Sequence, residues 1–116
     1  MSSFTPKPPI LVVDLKTQKS ILLKDLILLK GASNYTILIE NKRQDLLMAH
    51  TLSHYEALLP SNDFLRLHRS FLVNKAHIIC FNLTEATVLL SDGNEIKVAR
   101  RRLQGFKHLL YSKVGH

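Results

Sequence analysis

Six histidines and one cysteine are the side chains of this 116-residue sequence best suited to hold a metal, carry a proton or attack a carbonyl. His50 and His54 stand four apart, the spacing that lets two imidazoles share a metal when both ride one helix. No Glu follows His50, and His50 falls at the predicted end of a strand while His54 falls on a helix, so the spacing is read as accidental. Cys80 lies between Ile79 and Phe81, an apolar setting in which a thiol is buried and protonated rather than activated. As the only cysteine it forms no internal disulfide. There is no Gly-rich phosphate loop, no GxSxG elbow and no CxxC pair, and four glycines offer little close backbone approach to a nucleotide. The expectation is a protein that is not an enzyme and that uses no metal, no cofactor and no small-molecule substrate.

Anion chemistry is better supplied. Arg100, Arg101 and Arg102 stand at the start of the predicted last helix, where the helix dipole already places partial positive charge. Three adjacent guanidinium groups also repel one another, so local stability does not favour the arrangement. Free amides at a helix N-terminus together with Arg side chains do bind anions, and Arg can bridge guanine O6 and N7 in a major groove. A second basic cluster runs from Arg66 to Lys75. Strand alternation puts Phe64, Arg66 and His68 on one face and Leu65 and Leu67 on the other. His68-Arg69-Ser70 reads as an irregular junction, with Arg69 and Ser70 suited to phosphate and His68 to a structural, hydrogen-bonded role. Asn74 reads as satisfying local backbone. A third segment, Gly31-Ala32-Ser33-Asn34-Tyr35 behind Lys30, is a turn with polar tips. Asn34 could read adenine and Tyr35 could touch a phosphate or a base methyl, although taken alone an ordinary turn is the better reading.

The elements that must position these residues are mostly strands. Ile10–Leu15 is a β-rich run followed by a polar Lys-Thr-Gln-Lys turn, and 20–29 holds two apolar runs split by Lys24-Asp25. Tyr35, Ile37 and Ile39 share one face of a strand, Asn41-Lys-Arg43 is a hairpin turn, and Gln44–His50 is the return strand. Thr51–Leu59 has helical spacing at Leu52, Tyr55, Leu58 and Leu59, with Thr51 or Ser53 as cap and Ser53-x-x-Glu56 as a capping box. Phe64–His68, Phe71–Val73, Ala76–Asn82, Ala86–Ser91 and Glu95–Ala99 read as strands. Asp92-Gly93 marks a hairpin with positive φ at both turn positions. Arg100–Tyr111 closes as a helix with a stripe of Leu103, Phe106, Leu109 and Leu110. The sequence predicts seven or eight short strands and two short helices, with no internal repeat.

Composition sets the outer limits. The chain is 46% hydrophobic and 22% charged, which excludes disorder for its bulk. Its length fits one domain. The apolar runs are too short for a membrane helix, and Met1–Pro9 lacks the apolar core of a secretory signal, so a cytoplasmic location without membrane contact is expected. Residues 1–9, with three of the four prolines, read as a flexible tail or linker remnant before a domain over 10–116. The net charge of +7 is uneven: the first 58 residues carry +2 and the rest +5, which points to a polyanion partner.

Taken together, Leu29-Lys-Gly-Ala-Ser-Asn-Tyr35, the helix opening at Thr51-Leu52, Phe64-Leu-Arg-Leu-His-Arg-Ser-Phe-Leu-Val-Asn74 and Ile96-Lys-Val-Ala-Arg-Arg-Arg102 resemble the LytTR DNA-binding domain of bacterial transcription regulators over residues 10–111. The resemblance implies a mainly β fold: an elongated arrangement of small antiparallel sheets with one short internal helix and a C-terminal helix. It implies that loops enter successive grooves of double-stranded DNA, and that binding is to direct repeats by a dimer or paired monomers. Carried over by position, the contact residues are Ser33, Asn34 and Tyr35, then His68, Arg69 and Ser70, then Arg100 and Arg101 with Arg102 nearby. Lys30, Ser33 and Ala99 depart from the family, which often has an acid, a glycine and a serine there. The expected function is sequence-specific DNA binding in transcription regulation. The alternative is a basic β interaction module that binds RNA or a protein partner, against which the 7% aromatic content and the lack of Trp count for the RNA case.

Overall fold

The apolar run Leu26–Leu29 is buried at all four positions, which an ordinary half-exposed strand would not allow, because alternate side chains of a strand point to opposite faces. The strand must therefore be covered on both sides. In the computed structural model, which describes residues 10–14, 19–41 and 44–114, it lies at the centre of the molecule. The expected tail over 1–9, most of the Lys-Thr-Gln-Lys turn and most of the Asn41-Lys-Arg43 turn lie outside the described residues.

Ten strands and two α-helices occur among the described residues. Strand β1 (Ile10–Asp14) pairs with β2 (Lys19–Leu22) as a separate hairpin. After them come β3 (Leu26–Ala32), β4 (Tyr35–Glu40), β5 (Leu46–Met48), helix α1 (Leu52–Leu58), β6 (Phe64–His68) and β7 (Phe71–Asn74). These five strands form one antiparallel sheet in the order β5-β4-β3-β7-β6. A second antiparallel sheet has β9 (Thr87–Leu90) between β8 (Ile78–Asn82) and β10 (Glu95–Lys97), and helix α2 (Arg100–Tyr111) follows.

The five-stranded sheet divides two hydrophobic cores. On one face Leu26, Leu29, Leu38, Phe64 and Leu72 meet Leu52, Tyr55 and Leu59 from the α1 region and Leu11 and Ile21 from the β1–β2 hairpin. On the other face Leu28, Ile39, Leu65, Leu67 and Val73 meet Phe81, Val88, Leu90, Ile96 and Leu110 from the second sheet and α2. A register shift between Leu26 and Leu28 lets the consecutive Ile27 and Leu28 both serve the second core. The expected alternation of Phe64 against Leu65 and Leu67 holds, since they fall in opposite cores. The three dimensions, 45 × 45 × 25 Å, describe a flat molecule.

Asn74 supports the end of the sheet opposite the β3–β4 turn. Its side-chain Nδ2 donates to the carbonyls of Leu23 (3.0 Å) and Leu26 (2.8 Å), and its Oδ1 accepts from Ala76 N (3.0 Å). These bonds tie together the two 3₁₀ turns at Leu23–Asp25 and Lys75–His77.

Several local expectations change. Thr51 is the N-cap of α1, but no side chain caps the helix, and Ser53 lies inside it. The capping box does not form, because with Thr51 at the N-cap, Ser53 and Glu56 fall too far into the helix; the Glu56 carboxylate pairs with Arg66. Leu58 is 58% exposed, so the stripe of α1 is Leu52, Tyr55 and Leu59. In the β9–β10 hairpin only Gly93 has positive φ, 91°. Gly93 N donates to Leu90 O, and Asp92 takes the Asn94 amide on its side chain, so Asp92 needs no left-handed backbone. Cys80 is half-buried rather than a full core residue.

Candidate nucleic-acid interface

Two hairpin turns of the large sheet end at the same edge. Ala32 pairs with Tyr35, so Ser33 and Asn34 form a two-residue loop between β3 and β4. Ser33 has φ of 59°, a left-handed position that an L-residue adopts at a cost and glycine adopts freely. Ser33, Asn34 and Tyr35 are all exposed. His68 pairs with Phe71, so Arg69 and Ser70 form the matching loop between β6 and β7. Gly31 N donates to Ser70 O at 2.8 Å and joins the two turns across the sheet end.

His68 is built into its turn. Its Nδ1 accepts from Ser70 N at 3.1 Å, and its ring leans on Phe71 with centroids 5.2 Å apart. An accepting Nδ1 places the proton of the neutral ring on Nε2. Arg69 is exposed, and among the described residues no carboxylate pairs with it.

The third segment reaches the same end through β6. Ala99 N donates to Leu67 O at 2.8 Å, which sets the start of α2 beside that strand. Ala99 has extended backbone angles and gives no side-chain cap, while the Arg102 and Leu103 amides donate to its carbonyl. No acidic residue stands in the first turn of α2. Arg100 and Arg101 are exposed. Arg102 is half-buried, and its Nη1 turns back to Arg66 O at 3.4 Å. The three sequence-predicted segments thus share one end of the molecule, with Arg102 facing the sheet and Arg100 and Arg101 facing solvent.

A groove of about 240 Å³ runs between the two hairpin turns. Ser33 lines it from one turn and Arg69 and Ser70 from the other. Thr51, the N-cap of α1, Ser53 in its first turn and Arg66 also line it. Sequence reasoning did not include the α1 residues. The signal was present in Gly31: a Cβ there would come within 3.3 Å of Leu52 Cβ, so the absence of a side chain is what lets α1 sit against this end of β3. Arg66, counted above as part of a basic cluster, is spent internally. Its Nε donates to His68 O (3.0 Å), its Nη2 to Arg69 O and its Nη1 to Glu56 on α1.

His50 and His54 stack face to face with centroids 4.1 Å apart and lie against Tyr55. Parallel rings do not aim their nitrogens at a shared point, and no group of three or more metal-binding side chains occurs among the described residues. No helix among them is long and apolar enough to cross a membrane.

Comparison with known proteins bears on the family and the fold. Residues 16–111 match the family model of the LytTr DNA-binding domain. The sensory transduction protein LytR of Staphylococcus haemolyticus is 27% identical over 103 residues, which cover 85% of this chain and 40% of that protein. LytR of Staphylococcus epidermidis is 33% identical over 88 residues, 72% of this chain and 34% of that protein. The chain thus spans two fifths or less of the length of these relatives. Among solved structures, the LytTr DNA-binding domain of a methyl-accepting/DNA response regulator from Bacillus cereus superposes with a TM-score of 0.70 at 26% identity, covering 87% of this chain and 95% of that one.

Proposed function

The chain belongs to the LytTr DNA-binding domain family, and from that premise we propose that residues 10–116 are the sequence-specific, double-stranded-DNA-binding module of a cytoplasmic transcription regulator. The observation that carries this reading is the convergence of the two hairpin turns and the start of α2 on one end of the molecule, joined by Gly31 N to Ser70 O and Ala99 N to Leu67 O. Loops on a rigid sheet end can follow a groove without a recognition helix, and phosphate contacts fix register while a few side chains read bases.

Within that interface Arg101, Asn34 and Tyr35 are assigned to base edges, and Arg69, Ser70 and Arg100 to phosphates. A guanidinium at Arg101 suits guanine O6 and N7, and the Asn34 amide suits adenine N6 and N7. His68 presents its Nε2–H from a turn held by its own Nδ1, which suits a single acceptor on the DNA. Arg102 acts from behind by seating α2 on β6. Binding is to direct repeats, by a dimer or by monomers paired on the DNA.

Selection of bound sequences from a random duplex library tests the reading. The expected result is an enriched motif repeated about one helical turn apart. A library that returns no enrichment would overturn sequence-specific binding. Competition by single strands that matches duplex at equal salt would move the chain to the RNA-type alternative.

A further inference from the structure

We propose that Arg66, held by Glu56, is the positioning residue of this interface: it sets the conformation of the Arg69–Ser70 turn and does not itself touch the duplex. The proposal rests on the DNA-binding reading above. Three guanidinium N–H groups of Arg66 have fixed partners: Nε on His68 O at 3.0 Å, Nη2 on Arg69 O at 2.5 Å and Nη1 on Glu56 Oε1 at 2.5 Å. The Arg66 side chain is 12% exposed, against 45% for Glu56. Two consecutive carbonyls held by one planar fork leave the His68–Arg69–Ser70 backbone little freedom to rotate. The remaining groups of the turn are also assigned, Ser70 N to His68 Nδ1 and Ser70 O to Gly31 N. The direction in which Arg69 leaves the sheet is therefore fixed from inside.

The Glu56 carboxylate has two effects. It completes the planar set of acceptors, and it offsets a positive charge that would otherwise be drawn towards phosphate. Because Leu52 and Tyr55 seat α1 in the core beside β3 and β7, the ion pair also ties the seating of the helix to the shape of the turn. Lysine would keep the charge but could not span two carbonyls and a carboxylate in one plane.

The sign of one charge change separates positioning from electrostatics. Glu56→Gln raises the net charge by one, and so does Glu95→Gln on the exposed face of β10. By charge alone both variants should bind a polyanion as well as the wild type or better. If Arg66 positions the turn, Glu56→Gln should weaken binding of the full chain to the library-selected duplex roughly tenfold relative to Glu95→Gln. Arg66→Lys should lose a similar factor although its charge is kept, and Glu56→Gln should cost nothing further in the Arg66→Lys background. Amide hydrogen exchange supplies a readout independent of DNA. The Gly31 and Ser70 amides should lose protection in Glu56→Gln, while the buried centres of β3 and β7 keep theirs. Glu56→Gln binding as tightly as Glu95→Gln, with the Gly31 and Ser70 amides unchanged, would overturn the proposal. A wild-type chain with no affinity for any duplex would instead overturn the DNA reading. The exchange of those two amides in Glu56→Gln would then decide the positioning role by itself, retained protection overturning it and lost protection supporting it.

Discussion

Arg66, Arg69, Arg101 and Arg102 share a side chain and differ in what surrounds it. Arg66 is neutralised by Glu56 and Arg102 is turned towards a backbone carbonyl, whereas Arg69 and Arg101 face solvent. A charge free in solvent can release counterions from DNA, and a charge already paired contributes much less. The exposed pair should separate by what each meets. Arg101→Ala should cost about 1–3 kcal/mol on the selected site and relax the choice of one base, measured by titrating matched and singly altered duplexes. An equal loss on random DNA would assign Arg101 to phosphate. Arg69→Ala should weaken binding to all sequences alike and lower the slope of log K against log salt by about one. An unchanged slope would remove Arg69 from the phosphate contacts. Composition put all of these arginines in one basic class, because a sequence shows a charge but not whether an acid from another element has already met it.

At the scale of elements, most strands were legible, and so were both helices. Period-2 alternation in Phe64–His68 put Phe64 and Arg66 on one face and Leu65 and Leu67 on the other; the structure turns the first face towards α1 and buries the second in the opposite core. The Leu103, Phe106, Leu109 and Leu110 stripe of α2 packs on the second core as its spacing required. What failed was local chemistry open to competition. Ser53 and Glu56 have capping-box spacing, but α1 starts at Leu52 and leaves Ser53 inside the helix, and the Glu56 carboxylate pairs with Arg66, ten residues later in the chain, in a charge-assisted bond of the stronger kind. The role of Asn74 was legible as backbone satisfaction, while its partners, about fifty residues earlier in the chain, were not. Asn74→Ala removes three hydrogen bonds and strands buried carbonyls, so it should cost about 2–4 kcal/mol, read from the urea midpoint at unchanged m-value. The seating of α1 gives a pH signature. Burial pushes the Tyr55 phenol above its usual 10, so the ionised form favours the unfolded chain. Stability should hold below pH 10 on this account and fall as pH rises beyond it, and Tyr55→Phe should flatten that alkaline loss in thermal melts.

The molecule as a whole is polarised along β3. The two hairpin turns and the start of α2 lie at one end of that strand, and Lys24, Lys75 and the Asn74 bonds lie at the other. Seven residues of strand separate them by about 20 Å, more than twice the screening length of roughly 8 Å at physiological salt. The net charge of +7 therefore cannot act on DNA as one uniform field, and charge position should outweigh charge count. Lys24→Gln combined with Lys75→Gln removes two positive charges, twice the change made by Arg69→Ala. The double variant should nevertheless leave both affinity and salt slope for the selected duplex close to wild type, while Arg69→Ala lowers the slope. The comparison is a salt titration of the three proteins on one duplex. A drop of about two in the slope of the double variant would mean that DNA is bound over the whole basic surface, and the assignment of the interface to one end of the sheet would be lost.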